Sequence, residues 1–191
     1  MVIQDSFSDD EKLKIIQRMR SEQSHYETYL HKLAIQGWDV SPIRETVTAT
    51  LDKVKGETKS FVIYGEPQSG KTGMMIGLVS KLIEEGYDLI IILLNDSLKL
   101  LDQNLKRFIE SGIKPTPRVA TEIYGYGLTD DKYILFCKKN IKDLDKLSEL
   151  VKSKKKILID DEADYATPNA KINKDTRTAV NRSISNMMND Q

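Results

Sequence analysis

The chain has 191 residues, 39% of them hydrophobic and 30% charged, and its 29 lysines plus arginines are balanced by 29 aspartates plus glutamates. That composition is ordinary for one soluble globular domain, and its neutrality excludes a global field that would coat nucleic acid or an anionic membrane, leaving only local patches for such binding. A single cysteine excludes an internal disulfide, and the longest apolar run, residues 89–94, is far too short to span a bilayer, so a reduced, cytoplasmic setting is expected.

At the N-terminus, Asp5, Asp9, Asp10 and Glu11 stand where a secretion signal would be basic and then apolar. Ser8 is a candidate N-cap, and Leu13, Ile16, Met19, Tyr26, Leu30 and Leu33 recur at helical steps, which predicts one long amphipathic helix ending near Gly37. Pro42 after Ser41 opens a second helix, with Ile43, Val47, Leu51 and Val54 as its buried stripe and Gly56 as its stop. The short β-branched run 60–64 predicts a first strand. A helix from 71 to about 85 follows, with Met74, Met75, Leu78, Val79, Leu82 and Ile83 inward and Gly86 ending it.

Residues 88–94 are continuously apolar after Asp88, the pattern of a parallel strand covered on both faces. Ser97 caps a helix that reaches Glu110 and stops at Gly112. Pro115, Pro117, Gly125 and Gly127 then punctuate a less regular stretch in which 119–124 is expected as a short strand. A strand at 133–137, a helix at 141–151 with Leu144 and Leu147 inside, and a strand at 156–160 complete the alternation. The fold expected is therefore α/β, a right-handed three-layer sandwich with a mostly parallel central sheet. An N-terminal helical extension over 1–56 precedes the main lobe over 57–191.

Two runs carry chemistry. Residues 65–72 read G-E-P-Q-S-G-K-T, between a predicted strand and a predicted helix, which is the context in which glycines turn backbone N–H groups toward a phosphate. Gly65, Gln68, Ser69, Gly70, Lys71 and Thr72 form that cradle: Lys71 is expected on the β and γ phosphates, and the Thr72 hydroxyl on Mg²⁺. Residues 157–164 read I-L-I-D-D-E-A-D, an apolar strand ending in carboxylates at the edge where α/β proteins place ligands. Asp161 suits the metal and Glu162 the attacking water, so Lys71, Asp161 and Glu162 are the candidate catalytic set for nucleoside-triphosphate hydrolysis.

The remaining candidates read blandly. His25 and His31 have no partner at metal-ligand spacing, Met74 and Met75 read as core, and Cys137 sits in an apolar run without a neighbouring His, as a core thiol would. Lys138, Lys139, Lys142, Lys146, Lys152, Lys154, Lys155 and Lys156 form either a solvated face or a phosphate-backbone contact. Trp38, Tyr26 and Tyr29 have rings that would stack on a base, although no spacing demands it.

With both runs placed, the chain resembles the first RecA-type lobe of a superfamily-two, DEAD-like helicase or translocase, a P-loop NTPase. A nearer likeness is to the bacterial Z-one domain proteins, helicase-like chains labelled endonucleases in restriction and phage-defence settings. It is carried by P-Q-S-G-K-T-G-M-M-I-G-L at 67–78, E-G-Y-D-L-I-I-I-L at 85–93, L-D-Q-N-L-K-R at 101–107, K-K-N at 138–140 and I-D-D-E-A-D-Y-A-T-P-N at 159–169. The resemblance implies ATP and Mg²⁺ as cofactors, Asp164 as a coupling residue, and nucleic acid, DNA before RNA, touched near Gln103 and Lys139. It also implies restriction or antiviral partners. No glutamine-bearing adenine motif is evident, so adenine comes by analogy alone. Helicases of this kind continue into a second lobe with arginine fingers, which the resemblance places beyond Gln191. Because such fingers contribute about 10³ to 10⁵ in turnover, the isolated lobe is expected to be a weak ATPase. The rival readings are a P-loop phosphotransferase and a non-catalytic, nucleotide-stabilised protein-interaction module.

Overall fold

The computed structural model describes residues 24–56, 60–65, 70–163 and 178–189. The expected cap at Ser8 and the first half of the long N-terminal helix lie outside the described residues, as do Gln68, Ser69 and Asp164. Helix α1, His25–Ile35, begins at Ser24, whose hydroxyl accepts from the Glu27 amide at 3.1 Å. Helix α2 spans Ser41–Lys55 with Pro42 in its first turn, where a missing N–H costs nothing. Helix α3 spans Lys71–Glu84. Strand β1, Leu89–Leu94, leads through Ser97 into helix α4, Leu98–Ser111, which ends at Gly112 in the left-handed conformation that glycine adopts without a Cβ clash. Strand β2 is Arg118–Val119, strand β3 is Tyr133–Lys138, helix α5 is Ile141–Leu150, strand β4 is Ile157–Asp160, and helix α6 is Ala179–Asn189.

The four strands among the described residues run parallel in the order β2-β3-β1-β4, with Leu93 abreast of Asp160 and Leu94 abreast of Lys138. β1 shows why its sequence is apolar throughout. Ile90, Ile92 and Leu94 enter one core with α1 to α4, whereas Leu89, Ile91 and Leu93 enter a second with α5 and α6. Successive strand side chains point to opposite faces, and here both faces are covered. The result is the three-layer α/β sandwich of a RecA-like lobe.

Three expectations change. Residues 60–64 form no strand: Phe61, Val62, Ile63 and Tyr64 are exposed, and no described segment pairs with them. A β-branched run favours extended backbone, but a strand exists only where a partner takes its N–H and C=O groups. The expected strand at 119–124 is only two residues long, giving way to a 3₁₀ turn at Ala120–Glu122. Tyr26 and Tyr29 are buried against α3 rather than available to a base, and desolvation raises the Tyr29 hydroxyl to about 12. Cys137 is the buried thiol its apolar run implied, also raised to about 12, chiefly by burial.

α1 and α2 share the first core with α3, and Gly77 is the reason they approach so closely. A Cβ there would meet Ile43 Cγ2 at 3.1 Å and the Tyr26 ring at 3.5 Å. A full leucine has no room, so Gly77→Leu should lower stability by about 1–3 kcal/mol through overpacking. Thermal unfolding reads this as a fall of roughly 2–12 °C for a chain of this size. An unchanged melting temperature would mean that the helices do not pack here.

Candidate functional site

The described strands are parallel, so their carboxyl ends lie along one edge of the sheet, the edge at which α/β proteins place ligands. Gly70 caps α3 with φ 79°, a left-handed value open to glycine, and Lys71 and Thr72 form the first turn of that helix. The leading N–H groups and positive dipole end of a helix suit an anion. Lys71 is exposed and Thr72 half-buried. The Thr72 hydroxyl lies 3.5 Å from Asn104 Oδ1 and accepts from Arg107 Nη1 at 3.3 Å.

Just past β4, the Asp161 amide donates to Leu93 O at 3.0 Å, extending the β4–β1 ladder by one bond. Burial raises the Asp161 carboxyl above its ordinary value, against the pull of the Lys71 and Lys139 cations. Because the folded-state value is the higher one, the contribution of this group to stability is full in acid and is lost as pH rises through that value. A cation delivered to the site would remove the penalty. The Lys71 cation acts on the Asp161 carboxyl although the two stand ninety positions apart in sequence.

Thr72 and Asp161 supply a hydroxyl and a carboxylate, hard oxygen donors of the kind Mg²⁺ takes together with phosphate oxygens. Among the described residues no group of three or more His, Cys, Asp or Glu is arranged to hold a metal alone.

Glu162 follows with φ 54°, and its carboxylate accepts from Asn95 Nδ2, one residue beyond β1. Lys139, expected at a nucleic-acid backbone, is instead buried beneath the acidic loop. Its ammonium has no exposed surface and pairs with Asp160 Oδ1 at 2.9 Å, so a polymer phosphate cannot reach it. The rest of the lysine run divides: Lys142, Lys146, Lys152, Lys154 and Lys155 are exposed, Lys156 is buried, and Lys138 pairs with Asp96 at 3.1 Å. That pairing is the main reason the Asp96 carboxyl is held below its ordinary value, with Asn140 second. Gln103 stands exposed on α4, while its neighbour Asn104 and Arg107 face Thr72. Sequence reasoning missed Asn104, Arg107 and Asn95. The first two sit three apart on one helix face, a spacing visible in L-D-Q-N-L-K-R, but nothing local marks which face meets the loop.

No helix among the described residues is long and apolar enough to cross a membrane. No curated protein and no solved structure is matched. The family model described as type III restriction enzyme, res subunit, matches residues 42–188, from the second residue of α2 into α6 and so across the glycine-rich run, the whole sheet and the acidic run. With the parallel α/β sheet and more than half of its length accounted for in this way, the chain belongs to the type III restriction enzyme res-subunit family, as a superfamily-two helicase-like first RecA lobe.

Proposed function

We propose that this chain binds ATP with Mg²⁺ between α3 and the acidic loop, and hydrolyses it as the first motor lobe of a DNA translocase in a restriction or antiphage system. The observation that supports the reading is that one family match spans both the glycine-rich and the acidic run, with the Lys71 cation acting on the Asp161 carboxyl between them. Backbone N–H groups from Gly65 to Gly70, with Gln68 and Ser69, cradle the phosphates, and Lys71 binds their β and γ oxygens. Thr72 and Asp161 hold the metal, which when bound neutralises charge developing on the transferred phosphoryl group. Glu162 orients water and takes its proton. The nearer kinship with Z-one domain proteins belongs to the same reading.

Arg107 adds a cation beside Thr72. Lys139 is not assigned to the polymer, and of the two residues expected to touch nucleic acid only Gln103 is exposed to it. The polymer, with DNA favoured over RNA by the family, is met through a local patch, because the chain carries no net charge.

Ligand-linked unfolding tests the binding step. At a hundred times its dissociation constant, Mg-ATP should stabilise the chain by about 2.7 kcal/mol. The melting temperature should rise by roughly 5–11 °C, and chelation of the metal should diminish the rise. Phosphate should then appear in water. No shift with any nucleotide would overturn the reading, and transfer of phosphate to an acceptor would replace hydrolysis by phosphotransfer.

A further inference from the structure

Three neighbouring strand ends converge on Glu162. Lys139 follows β3, Asn95 follows β1, and Glu162 lies two residues past β4. The Lys139 ammonium donates to Asp161 O and Glu162 O at 2.9 Å each, besides Asp160 Oδ1. Two of these acceptors are main-chain carbonyls of the acidic loop, so the lysine holds the loop's shape as well as its charge. Glu162 itself is left-handed, φ 54°, a conformation that a residue with a Cβ keeps only where its surroundings impose it.

The imposing groups are visible on both sides. An ammonium sits on the Glu162 carbonyl, and the Asn95 amide donates to its carboxylate. Asn95 Oδ1 is buried without a hydrogen-bond partner, so the amide is oriented by Glu162 and not by a satisfied network of its own. A buried charge and an unsatisfied amide oxygen both cost stability, and neither would be needed merely to fill space. Both residues that bear these costs also hold Glu162, Lys139 at its carbonyl and Asn95 at its carboxylate.

We propose that Lys139 and Asn95 are positioning residues for the acidic loop: Lys139 fixes its main chain and Asn95 fixes the Glu162 carboxylate, so that Asp161 and Glu162 meet a magnesium nucleotide in register. The proposal rests on the nucleotide reading above and names how that site is held. Neither residue touches the nucleotide in this scheme.

The test uses the full chain with Lys139→Met, with Lys139→Met joined to Asp160→Asn so that no carboxylate is left stranded, and with Asn95→Ala. Crystal structures of the variants report the Glu162 backbone, and a fluorescent ATP analogue titrated with and without Mg²⁺ reports the site. In both lysine variants Glu162 should leave the left-handed region, and the gain in affinity that Mg²⁺ brings should shrink about tenfold or more, as for other groups that orient metal ligands. Affinity without the metal should stay within about twofold, since the phosphate loop is untouched, whereas a merely structural lysine would weaken both together. In Asn95→Ala the backbone should hold while single-turnover hydrolysis falls about tenfold with Mg²⁺-dependent affinity unchanged. A double variant that keeps Glu162 near φ 54° and keeps the full Mg²⁺ gain overturns the proposal. If the wild-type chain binds no nucleotide, the functional reading fails, and the Glu162 backbone in the lysine variants still decides the positioning claim.

Discussion

Lys71→Ala should weaken nucleotide binding by at least about thirtyfold while leaving the free protein folded. The side chain is exposed at the first turn of α3, where a cation opposes the helix dipole and alanine is the better helix former. Its removal therefore costs the fold only its attraction for the Asp161 carboxyl. Toward a bound triphosphate the balance reverses, because a desolvated, hydrogen-bonded charge pair that loses one partner typically forfeits about 2–5 kcal/mol. That is a weakening of at least about thirtyfold in dissociation constant. Titration calorimetry with Mg-ATP measures it, and a variant binding within threefold of wild type would remove Lys71 from the site.

Glu162→Gln should behave in the opposite way, binding the nucleotide normally and failing to turn it over. The amide is nearly isosteric with the carboxylate and retains an oxygen able to accept from Asn95, so the loop keeps its contact. Glutamine is no more strained than glutamate at φ 54°, so the backbone has no reason to move. What the variant lacks is a proton acceptor for the attacking water, a loss worth about 10²–10⁴ in rate for general-base catalysis. Phosphate release under single-turnover conditions reads it directly. Rates within twofold of wild type would assign the water to another group.

Much of the fold could be read from local chemistry. Ser97 caps α4 because a short side-chain oxygen accepts from an amide three residues on, and it does so here. The run 89–94 could only be a strand with two covered faces, and it is. α6 went unread although Val180, Ile184 and Met187 stand at helical spacing against α5, because the polar sequence around them carries no strong start or stop signal. The run 60–64 has as good a strand pattern as 133–137, yet among the described residues only the latter has a partner.

The site divides along the same line. Glycine at 70, lysine and threonine after it, and carboxylates closing an apolar strand are stated by the sequence, since each depends on residue type and spacing along a few turns of chain. Which side of α4 meets Thr72 is a matter of rotation, about 100° per residue, and that is the difference between exposed Gln103 and inward Asn104. Whether a lysine in a basic run faces water or lies under a loop depends on what packs over it. Lys139 was legible as a charge and illegible as a buried clamp. The chain's own order determined the elements and the reactive residue types; only the tertiary structure decided their partners, because periodicity and capping act over a few residues, whereas pairing, burial and charge coupling join positions that meet only once the sheet is built.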